Sequence, residues 1–171
     1  MIAYLISGFI YPRILVPANA ALTSKRLRVK ISDMQPSLNP GAAYYVEGQY
    51  LTPDDSSNGN GHNNCSYRRV VINGSMSMSM SGSTQRQLQA IRGWRNADPT
   101  VTLVEHMDAD NGLMILGYKI TDNLDGTYSY EYAMYNMNST RGVSAIRIPV
   151  QPGLSASNVE FHAPEYHSGE T

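Results

Sequence analysis

The residues of this sequence that could carry out chemistry do not form a catalytic pattern. The histidines have no metal-ligand spacing such as H-E-x-x-H, and the chain has neither a G-x-S-x-G nucleophile elbow nor a phosphate-binding glycine loop. The four histidines are His62, His106, His162 and His167. We therefore predict that the protein is not an enzyme.

The single cysteine, Cys65, limits the covalent and metal chemistry of the chain. One thiol cannot form an intrachain disulfide, and it cannot build a thiolate metal cluster. Nothing in the neighbouring sequence favours a reactive thiolate. Cys65 is either an inert buried thiol, which we favour, or an intermolecular bridge.

Two acidic turns carry the oxygen ligands that calcium prefers. One spans residues 54–60 and the other spans residues 108–112, and both combine Asp, Asn and Gly. The same residue types form ordinary turns, and neither loop has a bidentate Glu at the expected spacing. We predict no cofactor and no resident metal, with one low-ranking alternative, a structural calcium ion. Its candidate ligands are Asp108, Asp110 and Asn111.

Three asparagines lie in N-x-Ser/Thr acceptor sequences for N-linked glycans, and they are Asn64, Asn73 and Asn138. A chain this rich in Asn, Ser and Thr produces such sequences by chance. They carry weight only where they lie in exposed loops. We predict them as glycosylation sites on that condition.

Composition and charge favour an extracellular β protein of one domain. The chain has 171 residues, 42% of them hydrophobic, which is enough for a core. A net charge of −1 with 16% charged residues argues against a nucleic-acid partner. Twelve Tyr against two Phe suit half-buried sheet faces and interfaces. We expect the protein outside the cell or on its surface.

The most legible element is a β-hairpin over Leu113–Tyr135 with a turn at Asp122–Gly126. Period-two spacing gives each strand two faces. The predicted inner face consists of Met114, Leu116, Tyr118, Tyr130, Tyr132 and Met134. Its predicted cover consists of Met76, Met78 and Met80 with Ile146 and Ile148. The other face is also apolar and needs cover from elsewhere, and it consists of Leu113, Ile115, Ala133, Tyr135 and Met137.

About eight to ten short strands, spaced by turn signals, predict an all-β fold. We expect an antiparallel β-sandwich of immunoglobulin-like or jelly-roll connectivity over residues 25–162. The stretch Gln85–Arg95 is either one or two helical turns or an irregular crossover. Residues 1–24 form an apolar N-terminal segment with a linker, and residues 163–171 form a polar tail.

The N-terminal segment is the most apolar part of the chain. Pro12 and Arg13 interrupt it too early for a transmembrane helix, so we expect no membrane anchor. Ala18-Asn19-Ala20 resembles the cleavage site of a secretory signal, but no Lys or Arg precedes the apolar stretch, which argues against one. Residues 2–11 are apolar on both alternating faces, and a strand of this kind must be covered on both sides. It is either the first strand of its own chain or a strand donated to a neighbour.

Four motifs are similar to those of a group of secreted bacterial proteins that carry no assigned activity. They are YYVEGQY at residues 44–50, SYRRV at 66–70, YEYAMYNMNS at 130–139 and FHAPEYHSGE at 161–170. The resemblance spans residues 26–170. It implies an extracellular setting and supplies no functional residue.

These patterns favour a self-assembling structural subunit of a filament or surface layer, formed by N-terminal strand addition to a neighbour. The partners would be further copies of the chain and glycans. The predicted interface residues are Ile2, Tyr4, Leu5, Ile6, Phe9, Ile10, Leu113, Ile115 and Tyr135. The alternative is a carbohydrate-binding or adhesive module that uses the tyrosines and Trp94.

Overall fold

The computed structural model describes residues 3–7, 29–50 and 52–162 of the chain. The chain divides into two compact units, residues 1–140 and residues 141–171. The strands are β1 (Ala3–Ser7), β2 (Ala43–Gln49), β3 (Cys65–Ile72), β4 (Met78–Arg86), β5 (Thr102–Met107), β6 (Leu113–Asp122) and β7 (Tyr128–Asn136). The helices are α1 (Ile31–Met34), α2 (Pro53–Ser57) and α3 (Arg92–Ala97). The all-β prediction is thus confirmed.

The strands form two sheets. Sheet A has the order β1-β2-β3-β4, and sheet B has the order β5-β6-β7. All neighbouring strands are antiparallel except β1 and β2, which run parallel with Ala3 opposite Ala43 and Ser7 opposite Glu47. The predicted hairpin is confirmed as β6 and β7. Its turn has positive φ at Leu124 and Gly126, 61° and 86°.

Sheet A buries side chains on both of its faces because β2 and β3 are apolar on both. On one face Tyr44, Val70 and Ile72 form a cluster, which Met34 and Ala42 cover from the segment around α1. On the other face a second cluster consists of Ala43, Tyr45, Tyr67 and Ala90. The segment around α1 therefore covers this face of sheet A.

Sheet B meets sheet A through a third cluster. Cys65 of β3 packs there with Ile91 and with residues of β6 and β7, namely Leu113, Ile115, Tyr135 and Met137. The segment before α3 thus lies in the core between a residue of sheet A and residues of sheet B. The stretch Gln85–Arg95 contains the end of β4, a turn and the start of α3, so neither predicted alternative describes the whole of it.

The predicted orientation of the hairpin is wrong. The face with Ile115 and Tyr135 is buried in the chain's own core, whereas Tyr130 on the opposite face is 55% exposed. The physical reason is size. The buried face carries Gly117, where an added Cβ would lie 3.2 Å from the Trp94 ring, so only this face admits the segment around α3. Two bulky tyrosines, Tyr118 and Tyr132, occupy the corresponding level of the other face.

The predicted cover of the hairpin is also wrong. Met78 and Met80 are each 55% exposed, because their register with Ile72 and Val70 places them on the face of sheet A that lies away from sheet B. Met76 lies in a turn with φ 62° and packs against the Tyr44 cluster instead. Ile146 and Ile148 are exposed, and residues 141–162 contain no helix or strand.

The other predicted boundaries concern residues that are only partly described. Most of residues 1–24, and the whole tail 163–171, lie outside the described residues. None of the described helices is long and apolar enough to cross a membrane. The division of the chain falls between Thr140 and Arg141, earlier than the predicted end of the domain at residue 162.

Candidate functional site

The candidate site is the edge of sheet A at which the N-terminal segment pairs with β2. The five residues of β1 lie opposite residues 43–47 in parallel register. On β2, Ala43, Tyr44, Tyr45 and Glu47 are buried. The edge that receives β1 therefore belongs to a strand that is packed on both faces, so its backbone presents a fixed template for pairing.

The predicted N-terminal interface residues divide between β1 and undescribed chain. Tyr4, Leu5 and Ile6 lie in β1. Ile2, Phe9 and Ile10 lie outside the described residues. Their role in an interface stays a prediction.

The predicted interface residues of the hairpin occupy a different position. Leu113, Ile115 and Tyr135 lie in the core cluster around Cys65, and Ile115 is 0% exposed. Their own chain covers them, so in this conformation they offer a neighbour no surface. The prediction correctly required cover for this face but assigned it to the wrong segment.

Tyrosines fix the position of β2 beneath this edge. The hydroxyl of Tyr45 donates to the backbone carbonyl of Gly93, with an O···O distance of 3.0 Å. Its ring meets that of Tyr67 edge to face, with centroids 5.6 Å apart. On the other face the Tyr44 hydroxyl donates to the backbone carbonyl of Asp33 at 3.1 Å. Each side of β2 is thus tied by a hydrogen bond to a different loop or helix.

Glu47 of β2 joins the two sheets through a buried carboxylate. Its Oε1 accepts the Tyr135 hydroxyl at 2.6 Å, and its Oε2 accepts the backbone N–H of Ala90 at 2.5 Å. Burial raises the pKa of Glu47 above its usual value, and the two hydrogen bonds oppose this rise. Burial, with Glu47 nearby, also raises the pKa of Tyr135. The carboxylate therefore acts as a structural link between β2, β7 and the segment before α3.

Cys65 lies beside this link and is unsuited to nucleophilic chemistry. Burial raises the pKa of its thiol to about 12, and the negative charge of Glu47 contributes to this rise. Its exposed fraction is 1%, so another chain cannot reach the sulfur. The structure thus favours the inert thiol over the intermolecular bridge.

A second polar network holds the loop before β3 and the segment before α3 together. Gln89 is buried, and its Nε2 donates to the backbone carbonyl of His62 at 2.9 Å. Its Oε1 accepts the Nε–H of Arg92 at 2.6 Å, and Arg92 also pairs with Glu105 of β5. Nothing in the sequence predicted these contacts, because Gln89 is surrounded by residues of mixed polarity.

Trp94 does not form the sugar-binding platform that its neighbouring arginines suggested. Its side chain is 5% exposed and packs against Gly117 of β6. A sugar ring needs an exposed aromatic face on which to stack. The exposed tyrosines and Phe161, which is also exposed, are aromatic residues that remain available for such binding.

The carboxylate of Asp108 accepts hydrogen bonds from its own loop and from Ser139. The Oδ1 of Asp108 accepts the backbone N–H groups of Asp110 and Gly112 at 2.8 and 2.7 Å. Its Oδ2 accepts the hydroxyl of Ser139. Asn111 uses its backbone carbonyl to bind the His62 ring at 2.7 Å. The described residues hold no cluster of three or more His, Cys, Asp or Glu suited to a metal, and the calcium alternative stays a prediction.

The three predicted glycan acceptors differ in access. The Nδ2 of Asn64 is buried in the folded chain, and its glycosylation stays a prediction. Asn73 lies in the exposed turn between β3 and β4, where its Oδ1 accepts the backbone N–H of Ser77 at 2.9 Å. Asn138 is partly buried, and its Oδ1 accepts the backbone N–H of Leu113 at 2.8 Å. Asn73 and Asn138 stay predictions.

The face of sheet B that points away from the Cys65 cluster carries several exposed apolar side chains. Register places its residues on one side, and they include Val104, Leu116, Ile120, Tyr130, Tyr132 and Met134. We call this set the outer face of sheet B. Tyr118 and Tyr132 lie side by side on it, with ring centroids 6.4 Å apart. The use of Tyr rather than Phe at these positions was the available sign that the face meets water.

No family model, curated protein or solved structure matches the chain. The proposed function therefore rests on the geometry described above. The resemblance to secreted bacterial proteins accordingly stays a prediction. A function has to be argued from the β1 edge, from the link between the sheets and from the exposed faces.

Proposed function

We propose that the protein is an extracellular structural subunit that assembles into a filament or surface layer by strand addition. The N-terminal segment of one copy would pair with the β2 edge of the next. The observation that carries this proposal is the parallel pairing of Ala3–Ser7 with residues 43–47 at the edge of sheet A. Because β1 pairs only through that edge, another copy of the same segment can make the same hydrogen bonds.

The long connection between β1 and β2 supports such an exchange. β1 ends at Ser7 and β2 begins at Ala43. Residues 8–28 alone could span up to about 70 Å when extended. A segment on so long a connection can make the same contacts with its own chain or with a neighbour, which is the condition for swapping an element between copies.

The chemistry of strand addition fits the composition of the segment. Main-chain hydrogen bonds supply affinity, and alternate side chains supply specificity. The parallel register sets Tyr4 opposite Tyr44 and Ile6 opposite Val46. A head-to-tail contact that does not close on itself propagates into a fibre.

We also propose that the two sheets form a β-sandwich. Support comes from the third cluster, in which Cys65 of sheet A packs with Ile115 and Tyr135 of sheet B, and from the hydrogen bond between Glu47 and Tyr135. A sandwich with one strand supplied at its edge is a suitable acceptor for a donated strand. Low charge, abundant tyrosine and exposed Asn73 support the extracellular setting.

The proposal is tested by comparing Leu5→Pro with Leu154→Pro. Proline removes a main-chain donor and is poorly tolerated within a sheet. Leu5 lies in β1, whereas Leu154 is an exposed leucine outside every described helix and strand. We expect Leu5→Pro to lose the assemblies seen by electron microscopy and size-exclusion chromatography, and Leu154→Pro to keep them. Deletion of residues 1–16 should act like Leu5→Pro. Assemblies that persist unchanged in both β1 variants would contradict strand addition.

A further inference from the structure

We infer that the outer face of sheet B is a second interface, which packs against the same face of another copy around a two-fold axis. The inference rests on the proposed function in taking a further copy of the chain as the partner. It uses residues of β5, β6 and β7 and none of β1. Each subunit would then have two kinds of contact, strand addition at sheet A and face packing at sheet B.

The face is apolar and partly exposed, with half-buried residues at Met114, Leu116, Tyr118 and Tyr132 and exposed residues around them. Ile120 and Tyr130, which lie opposite each other on β6 and β7, are 50% and 55% exposed. Val104 on β5 and Met134 on β7 are exposed as well. An apolar area that crosses three strands is more typical of an interface than are single exposed apolar residues.

The charged residues of the three strands are sorted between the two faces. Register places Glu105, Lys119 and Glu131 on the side that faces the core. The outer face keeps one charged residue, Asp122, at one end and a histidine, His106, at the other. The centre of the outer face is rich in tyrosine and methionine and poor in charge. The buried part of a protein interface has the same composition.

The dimensions of the face suit a modest interface between two copies. Three strands spaced about 4.8 Å apart are about 14 Å wide, and the ten residues of β6 are about 34 Å long. The projected area is about 500 Å², and a pleated surface exposes more than its projection. A standard interface buries about 800 Å² on each partner. The face therefore suits a weak dimer that a polymer would reinforce.

The polar ends of the face are complementary to each other, because the imidazole N–H of His106 can donate a hydrogen bond to the carboxylate of Asp122. His106 lies on β5 beside Met114, at the start of β6, and Asp122 is the last residue of β6. A two-fold axis that lies between the two faces, perpendicular to the strands, sets the strands of the two copies antiparallel. The His106 end of one copy then lies over the Asp122 end of the second copy. A parallel arrangement would place Asp122 of one copy over Asp122 of the other, so the end residues also select the orientation.

The first test compares Tyr130→Lys with Tyr50→Lys in the full chain by sedimentation velocity across a concentration series. Both tyrosines are exposed, but Tyr50 follows β2 and is not part of the outer face. An unpaired buried ammonium is costly, so Tyr130→Lys should weaken dimerisation by about 100-fold or more. Tyr50→Lys should leave it unchanged.

The second test changes the polar residues at the two ends. His106→Glu should weaken the dimer, because it sets two carboxylates opposite one another in the antiparallel pair. The double variant His106→Glu with Asp122→Lys sets a carboxylate opposite an ammonium and should recover the dimer. A double variant that dimerises no better than His106→Glu alone would overturn the antiparallel arrangement.

The outcomes separate this inference from strand addition. If strand addition fails and the inference holds, the wild-type chain stops at a dimer, which Leu5→Pro retains and Tyr130→Lys loses. If the inference alone fails, Tyr130→Lys forms the same assemblies as the wild type. A chain that stays monomeric at every concentration would overturn it. So would a Tyr130-dependent affinity for an insoluble polysaccharide in the absence of a dimer, which would assign the face to glycans.

Discussion

Glu47 is the residue on which the contact between the sheets most depends. It stands on β2, the strand that carries the candidate edge, and it receives donors from β7 and from the segment before α3. Both partners are donors, so a carboxylate satisfies them and a donor group does not. A buried acid with satisfied oxygens fixes the arrangement of its neighbours even where its net stabilisation is small.

The raised pKa of Glu47 predicts a specific pH dependence. Between the usual value of 4.5 and the raised folded value, the folded chain binds more protons than the unfolded chain. The free energy of unfolding therefore falls as pH rises through this window. Denaturant unfolding from pH 4 to pH 8 should show the wild type losing stability relative to Glu47→Gln. Glu160→Gln, at an exposed position, should keep the wild-type profile. A constant difference between wild type and Glu47→Gln would contradict the assignment.

Gly93 tests the close approach of α3 to β2. A Cβ at this position would lie 2.8 Å from the Tyr45 ring, while nothing lies within 4 Å of one at Gly48. Gly93→Ala should therefore destabilise the chain by about 1–3 kcal/mol through overpacking, despite the better helix propensity of alanine. Gly48→Ala should have an effect within about 0.5 kcal/mol. Equal unfolding midpoints for the two variants would contradict the observed packing.

At the scale of the elements, the hairpin illustrates what sequence patterns can and cannot predict. Alternation and turn chemistry predicted its two strands and its turn, because these depend on neighbouring residues. Its orientation depends on which face meets Cys65 and Ile91, far away in the sequence. Both faces of the hairpin are apolar, so hydrophobic pattern alone could not decide between them.

Two isoleucines on β6 test the corrected orientation. Ile115 is fully buried, and Ile120 on the opposite face is half exposed. Ile115→Ala should cost about 2–5 kcal/mol of unfolding free energy, because it leaves a cavity in the third cluster. Ile120→Ala should cost less than about 1 kcal/mol in the monomer. The reverse ranking would restore the orientation predicted from sequence.

The methionine strand shows a second limit of pattern analysis. Alternating Ser and Met predicted a half-buried strand, and β4 does form there. Its methionines are exposed because their register with Val70 and Ile72 directs them away from sheet B, and the register between strands cannot be read from the alternation of one strand. The buried hydrogen bond between Glu47 and Tyr135 could not be predicted either, because the two residues are separated by 88 positions in the sequence.

At the scale of the whole molecule, two surfaces point outward from a tied pair of sheets. One is the edge of β2, where β1 pairs in parallel. The other is the outer face of sheet B, which is apolar and nearly free of charge. The sequence predicted an acceptor surface and a two-faced apolar donor segment. It placed the acceptor on the hairpin, whereas the pairing lies on β2.

The most direct test of the central claim is a chain-termination titration. A copy that lacks residues 1–16 can accept a strand at β2 but cannot donate one, so strand addition predicts that it caps growing polymers. Small mole fractions of this variant, mixed with the intact chain, should shorten the assemblies measured by electron microscopy in proportion to the fraction added. Near-ultraviolet circular dichroism would check that the variant is folded. Assemblies whose length is independent of the folded variant would contradict the account.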